Sequence, residues 1–295
     1  ACRGRPGRTA FRTRPMRAWD LVLEVSEQLA EAGVTTPAAD ARWLVCHALE
    51  CDSAALILRD ASPGDRDRVA GFVARRKTGE PVQHITGRAP FRYETLDVGP
   101  GVFIPRPETE LLVDEVLAHL AGLPAGRHRV VELCAGSGAI TRSLARERGG
   151  LELHAVERSS DAWPWLLRNL EGLGVDCRRE DMSEAFHDLD ARVDVVVANP
   201  PYVPTGLRGR LPAEVTHDPA EALFGGEDGL EAIRVVHSVA RRLLVPGGLV
   251  AMEHDQSHAE QVRGIFSDGF SEIRTVRDLA GYPRHLVARR GRIGG

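Results

Sequence analysis

The chain has 295 residues, 43% of them hydrophobic and 27% charged, with a net charge of −4. That composition suits a soluble globular protein long enough for a full core and two domains. It argues against a transmembrane role, since no apolar run approaches the roughly 18 residues a span requires, and against a protein that lives on nucleic acid. The start is nonetheless basic: Arg3, Arg5, Arg8, Arg12, Arg14 and Arg17 precede the first acid, Asp20. An Arg-rich transit peptide, a basic arm for RNA or a ribosome, and upstream translation carried into a gene model all produce such a start. Lys77 is the sole lysine among many arginines, which points to high-GC coding, and Met16 ahead of a helix makes a natural beginning. Residues 1–16 are therefore expected to be a disordered or artefactual extension.

Residues 17–87 read as a small helical bundle. Trp19, Leu21, Val22, Val25 and Leu29 recur at helical spacing, and Gly33 fits a C-terminal stop. Thr36-Pro37 opens a second helix carrying Ala41, Leu44, Val45, Ala48 and Leu49; Val69, Phe72 and Val73 mark a third before Gly79. Nothing in this bundle looks catalytic, which makes it a candidate for partner recognition. Residues 88–106 read as a linking hairpin, with Phe91, Tyr93, Leu96 and Val98 leading through a Gly99-Pro100-Gly101 turn to Val102-Phe103-Ile104. Arg106-Pro107-Glu108-Thr109-Glu110 then starts a helix through Leu120, its proline and acids suited to a first turn.

The remainder, 107–295, alternates strands and helices. Strands are expected near 130–133, 151–156, 175–178, 193–198, 248–253, 272–277 and 285–289, and helices at about 139–147, 161–171, 229–244 and 258–267. The fold class that follows is α/β: a doubly wound, mostly parallel seven-stranded sheet with a small N-terminal helical domain, its ligands at the strands' C-terminal ends. The connection 203–229 is long enough to be mobile or functional, and a lid over the site competes with a plain surface excursion. Cys2, Cys46, Cys51, Cys134 and Cys177 form no C-x-x-C pair, and no signal-peptide core is evident, so reduced thiols in a cytoplasmic protein are expected. His254 and His258 stand four apart beside Glu253 and Asp255 where a strand runs into a loop, and no metal site is expected there.

Two motifs carry chemistry. Val130 to Leu133 reads as a strand, Cys134-Ala135-Gly136-Ser137-Gly138 as a tight loop and Ala139 onward as a helix, so backbone N–H groups can approach a ligand closely. Glu157 ends the next apolar run, 21 residues after Gly136, where a nucleotide-binding unit grips ribose hydroxyls. The second motif, Asn199-Pro200-Pro201-Tyr202, follows the buried run Val193 to Ala198. Its prolines fix φ and remove their own donors, leaving carbonyls free to accept. The Asn199 oxygen is a second acceptor and Tyr202 a flat wall, so the tetrad can hold a planar NH2 group. N-methylation of an amide or an adenine needs such a cradle.

At these residues the chain resembles the protein-(glutamine-N5) methyltransferases that modify peptide chain release factors. The resemblance spans about 17–290 and includes Gly79-Glu80-Pro81-Val82-Gln83-His84-Ile85-Thr86-Gly87, Phe103-Ile104-Pro105-Arg106-Pro107-Glu108-Thr109-Glu110, His217-Asp218-Pro219 and Arg277-Asp278-Leu279-Ala280-Gly281. It implies an S-adenosylmethionine-dependent enzyme acting on the glutamine of a release factor's Gly-Gly-Gln loop, with 107–295 as the methyltransferase domain. Cys134, Ala135, Gly136, Ser137 and Gly138 would line the methionine part of the cofactor, Glu157 would bind the ribose, Asp181 and Met182 would flank the adenine, and Asn199 would border the cofactor as well as the substrate. Asn199 and the Pro200 carbonyl would hold the amide, with Pro201 and Tyr202 completing the catalytic tetrad and Phe103 walling the glutamine pocket. Cys134 stands where this family more often has glycine, and Glu157 where aspartate is usual. A glutamine methyltransferase for a ribosomal protein and a DNA adenine methyltransferase are the rival readings; the resemblance implies a release factor as partner, no membrane and no direct nucleic-acid contact.

Overall fold

The computed structural model describes residues 16–212 and 214–291; the Arg-rich start and Cys2 lie outside the described residues. The chain folds as two units, divided between Thr86 and Gly87. In the first, strands β1 (Met16–Arg17) and β2 (Asp60–Ala61) pair antiparallel beside helices α1 (Ala18–Glu31), α2 (Pro37–Ala48), α3 (Pro63–Lys77) and α4 (Val82–Thr86). The stripe Leu21, Val22, Val25 and Leu29 of α1 packs with Leu44 and Val45 of α2 and Val69 and Val73 of α3. Helix α3 begins in a capping box, Ser62 Oγ accepting from Asp65 N–H at 3.1 Å and Asp65 from Ser62 N–H at 2.9 Å, an arrangement worth about 1 kcal/mol. Arg76 on α3 meets Asp40 on α2 at 2.7 Å with both side chains buried, which fixes the register of the two helices. The two-residue strand pair departs from an all-helical reading, because a stretch that short carries no alternation to read.

The second unit opens with a hairpin of β3 (Arg88–Phe91) and β4 (Glu94–Asp97). Its turn falls at Arg92-Tyr93, where Arg92 has φ +52°, and not at Gly99-Pro100-Gly101. Ala89, Phe91 and Leu96 bury on one face of the pair, while Val102 to Ile104 form no strand because the Ile104 N–H donates to Asp218 at 3.1 Å instead of to a ladder. Arg92 staples the turn by a bidentate bond to Glu147, at 2.6 and 2.7 Å, and the hairpin's apolar face joins the core of this unit.

Beyond the hairpin come α5 (Glu110–Ala121), β5 (His128–Leu133), α6 (Ala139–Glu147), β6 (Leu151–Val156), α7 (Trp163–Leu170), β7 (Asp176–Arg178), β8 (Val193–Ala198), α8 (Ala220–Leu223), α9 (Glu231–Leu243), β9 (Leu244–Glu253), α10 (Ala259–Phe266), β10 (Phe270–Arg277) and β11 (Pro283–Arg290). The sheet order is β10-β11-β9-β8-β5-β6-β7, parallel except for β11. Its central strands are apolar on both faces: Val196 and Ala198 of β8 pack with Ile233, Val236 and Val239 of α9, and Val195 and Val197 with Leu112, Val113 and Val116 of α5. Each of these Val, Leu and Ile side chains contributes about 1.5–3 kcal/mol when fully buried. Strand order reverses between β5 and β8, which places a crevice at their C-terminal ends. Among the described residues no helix is long and apolar enough to cross a membrane.

Two histidines of this unit bear on its acid stability. Burial pushes His119, on α5, and His285, on β11, down to about 4, so folding favours their neutral forms. A histidine lowered in the fold supports stability above its free pKa near 6.5 and loses that support as the pH falls toward 4, by about 3 kcal/mol each. Burial raises the Glu132 and Glu253 carboxyls, which works in the opposite sense by costing stability as the pH rises. The clean measurement is therefore a difference: urea unfolding from pH 7 to 4 should fall more steeply for the wild type than for a His119→Gln/His285→Gln variant.

Candidate active site

Five segments meet over the crevice, each following a strand or preceding a helix that fixes its position. The loop after β5 turns through Cys134 and Gly136, at φ +55° and +53°, and Gly138, at φ +78°, before α6 begins. A Cβ at Gly136 would meet nothing within 4 Å, so that backbone is open to a ligand, whereas one at Gly138 would lie 2.9 Å from Leu166. Gly138 therefore packs the loop against α7, behind the crevice. Asn169 of α7 donates to the Ser137 carbonyl at 2.9 Å and exchanges bonds with Asp97 of β4, so the loop is held from both sides. Glu132, fully buried and pushed up to about 8 by that burial, accepts from Thr141 N–H at 2.9 Å and from its hydroxyl, supplying the acceptor that the first turn of α6 lacks.

The φ of Cys134 is one that a side chain pays for, a residue with a Cβ in this region costing about 1–3 kcal/mol. Its thiol lies 3.5 Å from the Met182 sulfur, and burial pushes its pKa up. Cys134→Gly is expected to raise stability by about 1 kcal/mol in denaturant unfolding, since glycine meets this backbone without strain; a loss of similar size would show that the sulfur contact outweighs it.

Glu157 follows β6 with both carboxylate oxygens engaged: Oε2 accepts from Gly136 N–H at 2.8 Å and Oε1 from Ser159 N–H at 2.7 Å. Burial raises its pKa while these donors oppose the shift. Asp181, at the exposed rim, accepts from the Ser183 N–H and hydroxyl, and its pKa is held low chiefly by the first of these. Asn199, Pro200, Pro201 and Tyr202 follow β8. Asn199 donates through Nδ2 to Thr109 Oγ1 at 3.2 Å, and the Tyr202 hydroxyl donates to Glu253 at 2.9 Å. Among the described residues no donor reaches the Pro200 carbonyl or Asn199 Oδ1. Phe103 lies under the Arg106 guanidinium, 5.0 Å from its ring centre.

These groups surround one cavity of about 430 Å³, which Phe103, Cys134, Ala135, Gly136, Ser137, Glu157, Asp181, Met182 and the whole tetrad line. Gly138 is the one residue singled out in the sequence that does not line it. The excursion 203–229 completes the wall with Val203, Val215, Leu223, Phe224 and Gly225. It is tied down at two points: Asp218, its side chain fully buried, accepts from Ile104 N–H and pairs with Arg106, and Glu221 accepts from the Ser159 hydroxyl. A Cβ at Gly225 would stand 2.3 Å from the Pro201 carbonyl oxygen, so only glycine lets the excursion lie against the tetrad. Glu132, Glu157, Glu180, Asp181, Glu221 and Glu231 line the cavity against Arg106 and Arg158, an acidic surround.

Thr109, Glu253, Asp218 and Asn169 were not singled out individually as site residues. Thr109 and Asp218 lie within motifs that the resemblance marked, but Glu253 and Asn169 gave no local signal, since each acts on a partner far away in sequence.

The two parts of the chain match separate family models: residues 20–87 the PrmC N-terminal domain and residues 97–223 the methyltransferase small domain. Release factor glutamine methyltransferase of Streptomyces coelicolor is 44% identical over 275 residues, covering 91% of this chain and 96% of that protein. The protein of the same name from Mycobacterium tuberculosis strain H37Rv is 40% identical, covering 89% and 88%. A 4-amino-L-phenylalanine/4-methylamino-L-phenylalanine methyltransferase of Streptomyces pristinaespiralis is 38% identical, covering 82% and 85%. Among solved structures, the hMettl16 catalytic domain, in complex with a MAT2A 3'UTR hairpin, aligns at a TM-score of 0.52 and 12% identity over 79% of this chain and 84% of that one, a likeness of fold alone.

Proposed function

This chain belongs to the release factor glutamine methyltransferase family, and we propose that its cavity holds the side-chain amide of a Gly-Gly-Gln glutamine between Asn199 and the Pro200 carbonyl. The enzyme is an S-adenosylmethionine-dependent methyltransferase that modifies release-factor glutamine. The observation that carries the residue assignment is a pair of acceptors beside Tyr202 that no donor among the described residues reaches, on two residues that line the same cavity as the Gly136 loop.

The cavity suits the cofactor. An open Gly136 backbone, a buried acid at the end of β6 and an acidic lining fit a ligand that carries ribose hydroxyls and a positive sulfonium. Cys134, Ala135, Gly136 and Ser137 would hold its methionine part, Glu157 its ribose, and Asp181 and Met182 its adenine. When bound, S-adenosylmethionine supplies an electrophilic methyl carbon on that sulfonium.

Asn199 Oδ1 and the Pro200 oxygen accept the two hydrogens of the glutamine NH2, which turns the nitrogen lone pair out of their plane. Tyr202 and Phe103 confine the amide to that orientation. An amide nitrogen is a weak nucleophile, because its lone pair is delocalised, so positioning must supply most of the acceleration; well-oriented groups gain about 7–11 kcal/mol in this way. No strong base is needed beforehand, since the N–H becomes acidic only as the new C–N bond forms, and the two acceptors stabilise the positive charge that develops. The excursion 203–229 lines the cavity beside the tetrad, where its Gly225 lies against the Pro201 carbonyl.

A second acceptor class has specific support in the relative that is named for 4-amino-L-phenylalanine, a small molecule with a planar amine. Labelled cofactor should be offered with a purified release factor, a ribosomal protein, duplex DNA and 4-amino-L-phenylalanine. Transfer to the release factor alone supports the proposal, and preferential transfer to any of the other three would overturn it.

A further inference from the structure

Two side chains of the tetrad join Thr109 and Glu253 in one hydrogen-bonded chain. The Thr109 hydroxyl donates to Glu253 Oε2 at 2.6 Å, the Tyr202 hydroxyl donates to Glu253 Oε1 at 2.9 Å, and Asn199 Nδ2 donates to Thr109 Oγ1 at 3.2 Å. With Glu253 accepting from both hydroxyls, the direction of each bond follows. An ionised carboxylate only accepts, and a hydroxyl has one proton to give. Thr109 and Tyr202 both spend that proton on Glu253. Thr109 then has only lone pairs to offer, and the NH2 end of Asn199 is the end that can meet them. The oxygen end must face the other way.

We infer that Thr109 and Glu253 act as a polarity lock, turning Asn199 Oδ1 into the cavity and thereby selecting a carboxamide over a carboxylate as the group held there. This inference rests on the reading of Asn199 as the holder of the substrate amide, and deepens it. A carboxylate in the same place would set its oxygens against Asn199 Oδ1 and the Pro200 carbonyl with no proton between them. If the Asn199 amide turned over, it would present NH2 to the cavity and welcome that carboxylate instead. An asparagine free to rotate exchanges its two ends at little cost, so the discrimination must come from what stands behind it.

The burial of the lock fits this role. Thr109 is 4% exposed and Glu253 1%, on α5's approach and the end of β9. A carboxylate this deep adds little to stability beyond an apolar pair of the same shape. Burial raises its pKa, and the Thr109 and Tyr202 hydroxyls and the Arg284 charge oppose that shift and favour the ionised acceptor. Thr109 lines the cavity and Glu253 does not, and both are assigned as positioning residues that act through Asn199.

The test uses full-length enzyme with a purified release factor carrying Gly-Gly-Gln, and the same protein carrying Gly-Gly-Glu as competitor. Thr109→Val, Thr109→Ser and Glu253→Met are compared with wild type for turnover, cofactor affinity, thermal midpoint and inhibition by the competitor. The lost lock should lower turnover about 10–100-fold in Thr109→Val and Glu253→Met, the loss expected for one hydrogen bond to a charged group. Cofactor affinity should stay within about threefold, and the Gly-Gly-Glu protein should inhibit both variants at least about tenfold better than wild type. Thr109→Ser, which restores the hydroxyl, should return both properties. If Thr109→Val proves unfolded, Glu253→Met, close to glutamate in length and without an oxygen to accept from Thr109, carries the decision. Discrimination between the two release factors that is unchanged in Glu253→Met would overturn the lock while leaving the role of Asn199 standing, provided that Asn199→Ala lowers turnover by about 10²–10³-fold. Normal turnover in Asn199→Ala would overturn both.

Discussion

Asn199→Ala is expected to lower turnover by about 10²–10³-fold while leaving cofactor affinity within about threefold of wild type, the size of effect seen when one preorganised polar group is taken from a reaction centre. The substitution removes Oδ1, one of the two acceptors proposed to hold the amide, from a residue that lines the cavity. It also removes the Nδ2 donor to Thr109, whose oxygen is buried, so a modest loss of stability accompanies it. Single-turnover kinetics at saturating cofactor, read beside a binding titration, separates the two effects. Turnover within tenfold of wild type would show that the tetrad does not hold the acceptor.

Glu157→Ala should do the reverse. Cofactor affinity is expected to fall at least about 100-fold, as bonds between ribose hydroxyls and a carboxylate are worth about 1.5–3 kcal/mol each. The side chain has a second duty, because it holds the Gly136 and Ser159 N–H groups. Its removal loosens the loop that is proposed to line the methionine part of the cofactor, so the loss exceeds that of the ribose contacts alone. Glu157→Asp keeps the charge and shortens the reach by one methylene; it should retain affinity within about tenfold. Turnover at saturating cofactor should remain near wild type in Glu157→Asp. Calorimetric titration with S-adenosylhomocysteine checks both variants, and unchanged affinity in Glu157→Ala would remove this residue from the cofactor site.

Much of this site was legible in the sequence because its chemistry is local. The Asn-Pro-Pro-Tyr tetrad and the Cys134–Gly138 loop each carry their backbone constraints in consecutive residues, and each follows an apolar run that can only be a buried strand. The positive φ of Cys134 was legible as a possibility, since glycine is the residue that such a loop favours. The hairpin turn was not legible. Alternating apolar residues continue on both sides of Gly99-Pro100-Gly101, and only the bonds of Arg92 to Glu147 and of Ile104 to Asp218 decide where the chain turns. Glu253 shows the same limit more sharply. It meets Thr109 across 144 positions and Tyr202 across 51, because β9 lies beside β8 and α5 packs on the face they share. Its neighbours in sequence, His254, Asp255 and His258, hint at a metal site; the partners that define it are supplied by the sheet.

A cradle after β8 is proposed to present a glutamine carboxamide for methylation. Tandem mass spectrometry of a release factor treated with this enzyme and S-adenosylmethionine tests it most directly. One methyl group on the side-chain nitrogen of the Gly-Gly-Gln glutamine, absent when Asn199→Ala enzyme is used, is the predicted result. A methyl group on any other residue, or the same modification at full yield from the Asn199→Ala enzyme, would contradict it.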